Sequence, residues 1–492
     1  MKIKSRLCSV LLCLSMALLT GCDGKASVEQ VAKAADPPSA PVIEDVSTKE
    51  EKVTYDLDLI FDDRTLTLTG REEIRIKNRA LGDSILLHLW MNAYKDGKKG
   101  KFFFPEMKER IFSKGDSKGS IEIAGVWING EAAPFRIEEE LLWIDYTKKA
   151  YQEDMLRITL DFSIQIPQIS HRNGANDQAI WLGNWIPTLA VQDGDKWIVS
   201  SYLPAGDPFY TQVADYNLRI QTPPTYQVVG TGEETVENEG TNKITYIRSS
   251  KVRDIALAMS KDYKRYQHTT QNGLELNLYS YSLGEKTANS YLKELEKIMD
   301  YYSSRIGPYP YKSFDVVETE FMTGGMEYPG LIMVSSQNLR DFSKGSATIL
   351  HETGHQWFYG ILGNNQLQDA WFDEGLTTFI QKGYEMNAKG LEDFYQKEKV
   401  QLKKALEPWK NIALGQELEI YQSWSHYYRV NYRRAALMHY EISQVMGSEA
   451  YDQFLKELYN QYQYKIVTKE NFRNLCERFG GEKAVGVFNS YF

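Results

Sequence analysis

At 492 residues the chain is too long for one ordinary domain, and 42% apolar with 25% charged residues is the balance of a globular protein. Its formal charge is −9, and removing residues 1–21, which carry Lys2, Lys4 and Arg6 and no acid, takes it to −12. A body this acidic excludes the basic face that a phosphate backbone requires, so nucleic acid is not an expected partner.

The first twenty residues pair a positive start with an apolar run, Leu7 to Thr20, that falls short of the roughly 20 residues needed to span a bilayer. Leu19-Thr20-Gly21-Cys22 resembles a bacterial lipobox. That resemblance implies cleavage before Cys22, lipidation of its thiol, and a body exported from the cytoplasm and lipid-anchored to a cell membrane. An ordinary signal peptide cut nearby is the alternative. Cys8 and Cys13 leave with the leader and Cys22 carries lipid, so Cys476 is left without a disulfide partner. Residues 22–50 are small, polar and Pro-containing, the composition of a flexible tether.

From 51 to 265 the period is two, as in Val53-Thr-Tyr-Asp-Leu-Asp-Leu, Glu73-Ile-Arg-Ile-Lys and Tyr216-Asn-Leu-Arg-Ile, which predicts an N-terminal β-sandwich-like domain. From 266 to 492 helices take over. The spacing predicts a helix over Glu285–Ile306 that stops at Gly307-Pro308, then strands at Phe314–Thr319 and Leu331–Val334. Further helices are predicted over 345–362, 373–387, 391–406, 432–445, 449–461 and 469–479. The expected class is therefore multidomain α+β, a β domain followed by an α/β and then mainly helical domain.

His351-Glu352-Thr353-Gly354-His355 lies in one of these helices. Residues four apart share a helix face, so both imidazoles can reach one ion with Glu352 beside them. Glu374, nineteen residues after His355 at the start of the next helix, would supply a third ligand if the turn at Gly360, Gly363, Asn364 and Asn365 folds that helix back. A helix-start carboxylate serving only the dipole is the plainer reading of Glu374. Two imidazoles, a carboxylate and an open position form the usual catalytic zinc set. Zinc brings its water toward a pKa of about 7, and Glu352 is then placed to act as general base.

Four blocks together resemble the aminopeptidase N family of zinc metallopeptidases, gluzincins with a thermolysin-like catalytic domain. The first is His351–Gly360 with Trp371-Phe-Asp-Glu-Gly-Leu-Thr-Thr-Phe379. The second is Gly324-Gly-Met-Glu-Tyr-Pro-Gly330, similar to the family's exopeptidase loop. The third is Tyr432-Arg-Arg-Ala-Ala436. The fourth comprises stretches of the β domain, among them Leu87–Ala93, Gly183–Pro187 and Gly206–Tyr210. The resemblance implies one Zn2+ held by His351, His355 and Glu374, with Glu352 catalytic. It implies that Glu327 binds the free amine of a peptide from a loop containing Gly324, Gly325 and Met326; Asp207 and Met326 are candidate pocket walls by position alone. Tyr432 would donate to the oxyanion, with Tyr427, Tyr428 and Tyr440 as nearby competitors. His426 and His439 are expected to be structural.

Three departures accompany it. Tyr328 stands where the family loop usually ends in Asn, Tyr432 is followed by Arg434 and Ala435 where Lys and Gly are usual, and the chain ends 118 residues after Glu374, which implies that the family's C-terminal helical domain is missing and the cleft more open. The expectation is an aminopeptidase acting on peptides with a free N-terminus. An open-cleft zinc endopeptidase and a non-catalytic peptide-binding lipoprotein are the alternatives.

Overall fold

Alternation in the first half builds one large twisted sheet. The computed structural model describes residues 52–492 except 79–81, 147–152, 195 and 410–411; the leader, Cys22 and the tether lie outside the described residues. The eight strands of this sheet run, edge to edge, Glu233–Glu239, Asn242–Val252, Ala214–Thr222, Val53–Asp62, Thr67–Lys77, Met155–Gln165, Ser120–Ile128 and Glu131–Ala132. Val53–Asp62 pairs parallel with Ala214–Thr222, and the other pairs are antiparallel. The period of two decides which face is inward. Tyr55, Leu57, Leu59 and Phe61 go into the core from one strand, and Leu156, Ile158, Leu160, Phe162 and Ile164 from another. Two four-stranded sheets and a two-stranded one complete this β-rich part.

A five-stranded sheet opens the second part, in the order Lys264–Thr269, Glu275–Ser280, Ser313–Thr319, Leu331–Ser335, Gly325–Met326. Its three middle strands are parallel, and the two-residue Gly325–Met326 pairs antiparallel along Leu331–Ser335. Seven longer helices pack beyond it: α1 (Glu285–Arg305), α2 (Phe342–Gly354), α3 (Ala370–Glu385), α4 (Ala388–Ala405), α5 (Ala435–Met446), α6 (Ser448–Tyr462) and α7 (Lys469–Asn489). Helix α1 buries Ala288, Tyr291, Leu292, Leu295, Ile298, Met299 and Tyr302, the three-and-four spacing of one apolar face. Glu51–Phe492 holds together as one compact unit. No helix among the described residues is long and apolar enough to cross a membrane.

Three helical expectations are corrected. The helix bearing the histidines ends at Gly354, not Leu362. Beyond it Gly360, Ile361 and Leu362 donate to residues five back, His355, Gln356 and Trp357, and Tyr359 has φ +133°. Trp357, Phe358, Ile361 and Leu362 are buried all the same, so apolar spacing could not distinguish this coil from more helix. Tyr432 begins no helix; it lies inside a π-helical segment, Tyr428–Arg434, that runs into α5. The last helix continues past Phe479 to Asn489 through a break at Gly481, whose φ of +62° suits glycine.

Candidate metal and peptide site

Helix α2 begins under an Asp341 cap that accepts from the Ser343 and Lys344 amides. It delivers His351 and, from its C-cap, His355 to one face. His355 keeps right-handed helical angles, φ −66° and ψ −13°, so the four-residue relation survives the early end of the helix. Helix α3 lies against α2 and presents Glu374 from its first turns. Three donor atoms converge: the two Nε2 atoms are 3.2 Å apart, and Glu374 Oε2 is 3.4 Å from that of His351 and 3.3 Å from that of His355. Ligands about 2.0–2.1 Å from a tetrahedral ion stand about 3.3 Å apart, the spacing these atoms have. Two ring nitrogens facing each other beside a buried carboxylate oxygen with no hydrogen-bond partner of its own are explained by a cation between them. The donor set fits one zinc ion.

The outer nitrogens are fixed as well. His351 Nδ1 lies 3.0 Å from Gln381 Oε1 and His355 Nδ1 3.1 Å from the Phe358 carbonyl, contacts that place the proton on Nδ1 and leave Nε2 free to ligate. Gln381 had escaped the sequence reading, although it sits seven residues, two turns, after Glu374 on the same helix.

Glu352 is buried beside the cluster, and the loop Gly324–Gly330 passes directly over it. A Cβ at Gly325 would stand 2.7 Å from Glu352 Cγ, so only glycine allows the loop this close. Gly324 is looser, 3.1 Å from Asn338 Nδ2. Gln356 ties the loop to the metal-bearing segment: its Oε1 accepts from the Gly330 amide at 2.7 Å, and its Nε2 donates to the Tyr328 carbonyl at 3.1 Å. The Tyr328 ring lies where a Gly183 side chain would be, which accommodates the large residue in place of Asn.

Glu327, itself buried, lines a small pocket together with Arg172, Asp207, Met326 and Tyr359. Carboxylate oxygens of Asp207, Glu327 and Glu374 all lie within 4.8 Å of one another. Arg172 pairs with Asp207 and donates to Met326 Sδ at 2.7 Å. Arg172 gave no signal in the sequence, because its partners come from distant segments. Burial, then neighbouring carboxylates such as Asp207, push Glu327 up to about 7, and burial with Glu327 beside it raises Glu352 well above the carboxylate range. Burial opposes the ionisation of Glu374, but His355 and His351 outweigh it and hold this carboxyl at about 2. Four buried carboxyls thus face one guanidinium, a site short of positive charge that a divalent ion and one ammonium would balance.

Tyr432 stacks on the His351 ring at 5.7 Å and donates from its hydroxyl to Glu374 Oε1 at 2.5 Å. Two of its competitors pack on it: the Tyr427 ring, also against Gly206, lies 6.0 Å from that of Tyr432 and the partly exposed Tyr428 ring 4.9 Å, but it is Tyr432 whose hydroxyl bonds Glu374. Tyr440 stacks on Tyr395. His426 stacks on Trp409 and His439 on Trp371, both buried away from the ligand cluster.

Residues 287–491 match the peptidase family M1 domain. This part of the chain is a peptidase family M1 domain. Leukotriene A-4 hydrolase of Xenopus laevis is 24% identical over 210 residues, covering 39% of this chain and 33% of that protein. Leucine aminopeptidase 2-1 of Meyerozyma guilliermondii is 20% identical over 208 residues, 38% of this chain and 32% of its own. The chain thus spans about a third of the length of these curated relatives. The fold beyond the M1 domain is shared too. An M1 zinc metallopeptidase from Deinococcus radiodurans superposes with a TM-score of 0.64 at 15% identity, over 90% of this chain and 94% of that one. A structure of the Deinococcus M1 enzyme bound to a Tyr-Ser-Ala substrate gives 0.61 at 14% identity, over 90% and 93%.

Proposed function

We propose that the chain is a zinc-dependent aminopeptidase that hydrolyses the first peptide bond of peptides with a free N-terminus. The observation that carries this reading is the Glu327 carboxylate, buried with Asp207 within 4.8 Å of a carboxylate oxygen of Glu374. From an amino nitrogen to the carbonyl carbon of the same residue is about 2.5 Å, from the bond lengths N–Cα and Cα–C. An ammonium at Glu327 therefore brings the first carbonyl, and no later one, to the metal ligands. The charge deficit of the pocket favours the ammonium in the same place.

Zinc, when bound, polarises the scissile carbonyl and makes hydroxide available near neutral pH. The side chains do the rest. Glu327 and Asp207 hold and orient the ammonium. Glu352 takes a proton from the attacking water on a carboxylate oxygen and gives it to the departing amine. The Tyr432 hydroxyl, at the edge of the ligand cluster, donates to the oxygen that gains charge.

Hydrolysis of matched free and N-acetylated peptides by wild type and Glu327→Ala tests this reading. Activity confined to free peptides and lost in the variant is expected. Equal cleavage of both forms, unchanged in Glu327→Ala, would make the protein an open-cleft endopeptidase, and zinc-loaded protein that binds peptides without cleaving any would make it a binding protein.

We also propose that Cys22 is lipidated and anchors the body outside the cytoplasm, on the strength of Leu19-Thr20-Gly21-Cys22. Cys22→Ser should move the protein from the membrane fraction to the soluble one; continued membrane attachment of that variant would refute the anchor.

A further inference from the structure

A groove of about 260 Å3 lies where the start of Val53–Asp62 and the end of Thr67–Lys77 meet the turn 464–466, and it shares no residue with the metal cluster. Lys52, Lys77, Arg253 and Lys465 line it, and no Asp or Glu among the described residues does. In a chain of charge −9 such a concentration of cations is against the trend.

Arg253 is the decisive member. It is 2% exposed, and every partner it has among the described residues is a backbone carbonyl: Nε donates to Tyr359 at 2.7 Å, Nη1 to Thr211 at 3.3 Å and Nη2 to Lys465 at 2.8 Å. A guanidinium offers five N–H groups, so these bonds leave two. Its ionisable neighbours are phenols, Tyr359, Tyr311 and Tyr210, and burial draws it down to about 10. A buried charge without a counter-charge is expensive, and the backbone holds this one in place: a Cβ at Gly363 would be 2.1 Å from its Cζ. At the mouth, Lys465 is exposed and its Nζ donates to the Gln461 carbonyl at 3.0 Å, while Lys52 meets Asp215 at 3.6 Å.

We propose that this groove binds a small oxyanion, a carboxylate or phosphate group that supplies the counter-charge to Arg253 and is screened from solvent by Lys52 and Lys465. A charge-assisted bond to a guanidinium suits either group, and the volume, below that of drug-sized sites, limits the occupant to a small molecule or a single anionic end.

The test is thermal unfolding of the zinc-loaded full chain, titrated separately with inorganic phosphate and with N-acetylalanine, at an ionic strength fixed with KCl. N-acetylalanine has a free carboxylate and a blocked amine, which keeps it from the Glu327 pocket. A saturating rise in Tm is expected with at least one probe, and the responding probe identifies the group. Lys465→Glu, at an exposed position outside the ligand cluster, should raise the half-saturating concentration at least about fivefold, and Arg253→Met should abolish saturation. If Arg253→Met fails to fold, the lysine variant still decides. Two results overturn the proposal: no saturating rise with either probe beyond the KCl control, or the same half-saturation in wild type and Lys465→Glu, which would place the anion elsewhere.

Discussion

The Tyr432 hydroxyl donates to the Glu374 carboxylate at the edge of the ligand cluster, and in the proposed mechanism it moves from that contact to the oxygen that gains charge. Removing that hydroxyl leaves the ring stacked on His351 and the three donor atoms untouched. Tyr432→Phe should therefore lower kcat by about 10²–10³-fold, the loss typical for one oxyanion donor, with KM and bound zinc nearly unchanged. Loss of zinc in the variant would instead make Tyr432 a support for Glu374. Residues of this kind were legible in the sequence to differing degrees. His351, Glu352 and His355 share one block with helical spacing, so local geometry suggested that they face one ion, whereas Glu374, nineteen residues on, needed the turn at Gly360, Gly363, Asn364 and Asn365 to fold its helix back and was assigned by the resemblance. Arg172 was not legible, because its value comes from contacts to Asp207 and Met326 that only the folded chain creates.

Among the elements, the loop Gly324–Gly330 depends most on a single residue. It must run along the edge of the five-stranded sheet and still clear Glu352, and Gly325 makes this possible. Gly325→Ala puts a methyl 2.7 Å from Glu352 Cγ, so either the loop carrying Glu327 or the Glu352 side chain, the proposed general base, must move. A displacement near 1 Å in a catalytic group costs on the order of 10²-fold in rate, and a loss of about that size in kcat/KM is expected with Tm within a few degrees of wild type. Undiminished activity would show that the loop is free to shift. Strands and long helices were readable because their periods are sustained: Ser313–Thr319, Leu331–Ser335 and Glu285–Arg305 fall within a residue of expectation. Elements that break their own period were not. The π-helical Tyr428–Arg434 and the coil after Gly354 bury the same residue types as a helix, and the difference lies in backbone hydrogen bonds that side-chain patterns do not record.

At the scale of the whole molecule, the large β-sheet and the five-stranded sheet meet across carboxyl groups. Asp315, on a middle strand of the second, raises the cost of ionising Glu234, on the edge strand of the first. Burial, relieved by the Asn277 amide that donates to Asp315 at 2.7 Å, pushes Asp315 up to about 7, and burial with Asp315 beside it pushes Glu234 up to about 8. Arg265 lowers both, Glu275 raises Asp315, and Tyr279 and Tyr309 are the phenols nearby. A carboxyl whose pKa is higher in the folded chain holds a proton that the unfolded chain has already lost. Its contribution to stability is complete below the unfolded value near 4 and declines as pH rises through about 7, with Glu234 extending the decline to about 8. Tm should consequently fall between pH 5 and pH 8. Asp315→Asn keeps the shape and the acceptor for Asn277 but cannot ionise, and it also relieves Glu234, so its Tm should fall less over the same range. Parallel Tm profiles for wild type and Asp315→Asn across pH 5–8 would mean that this pair does not govern the pH response.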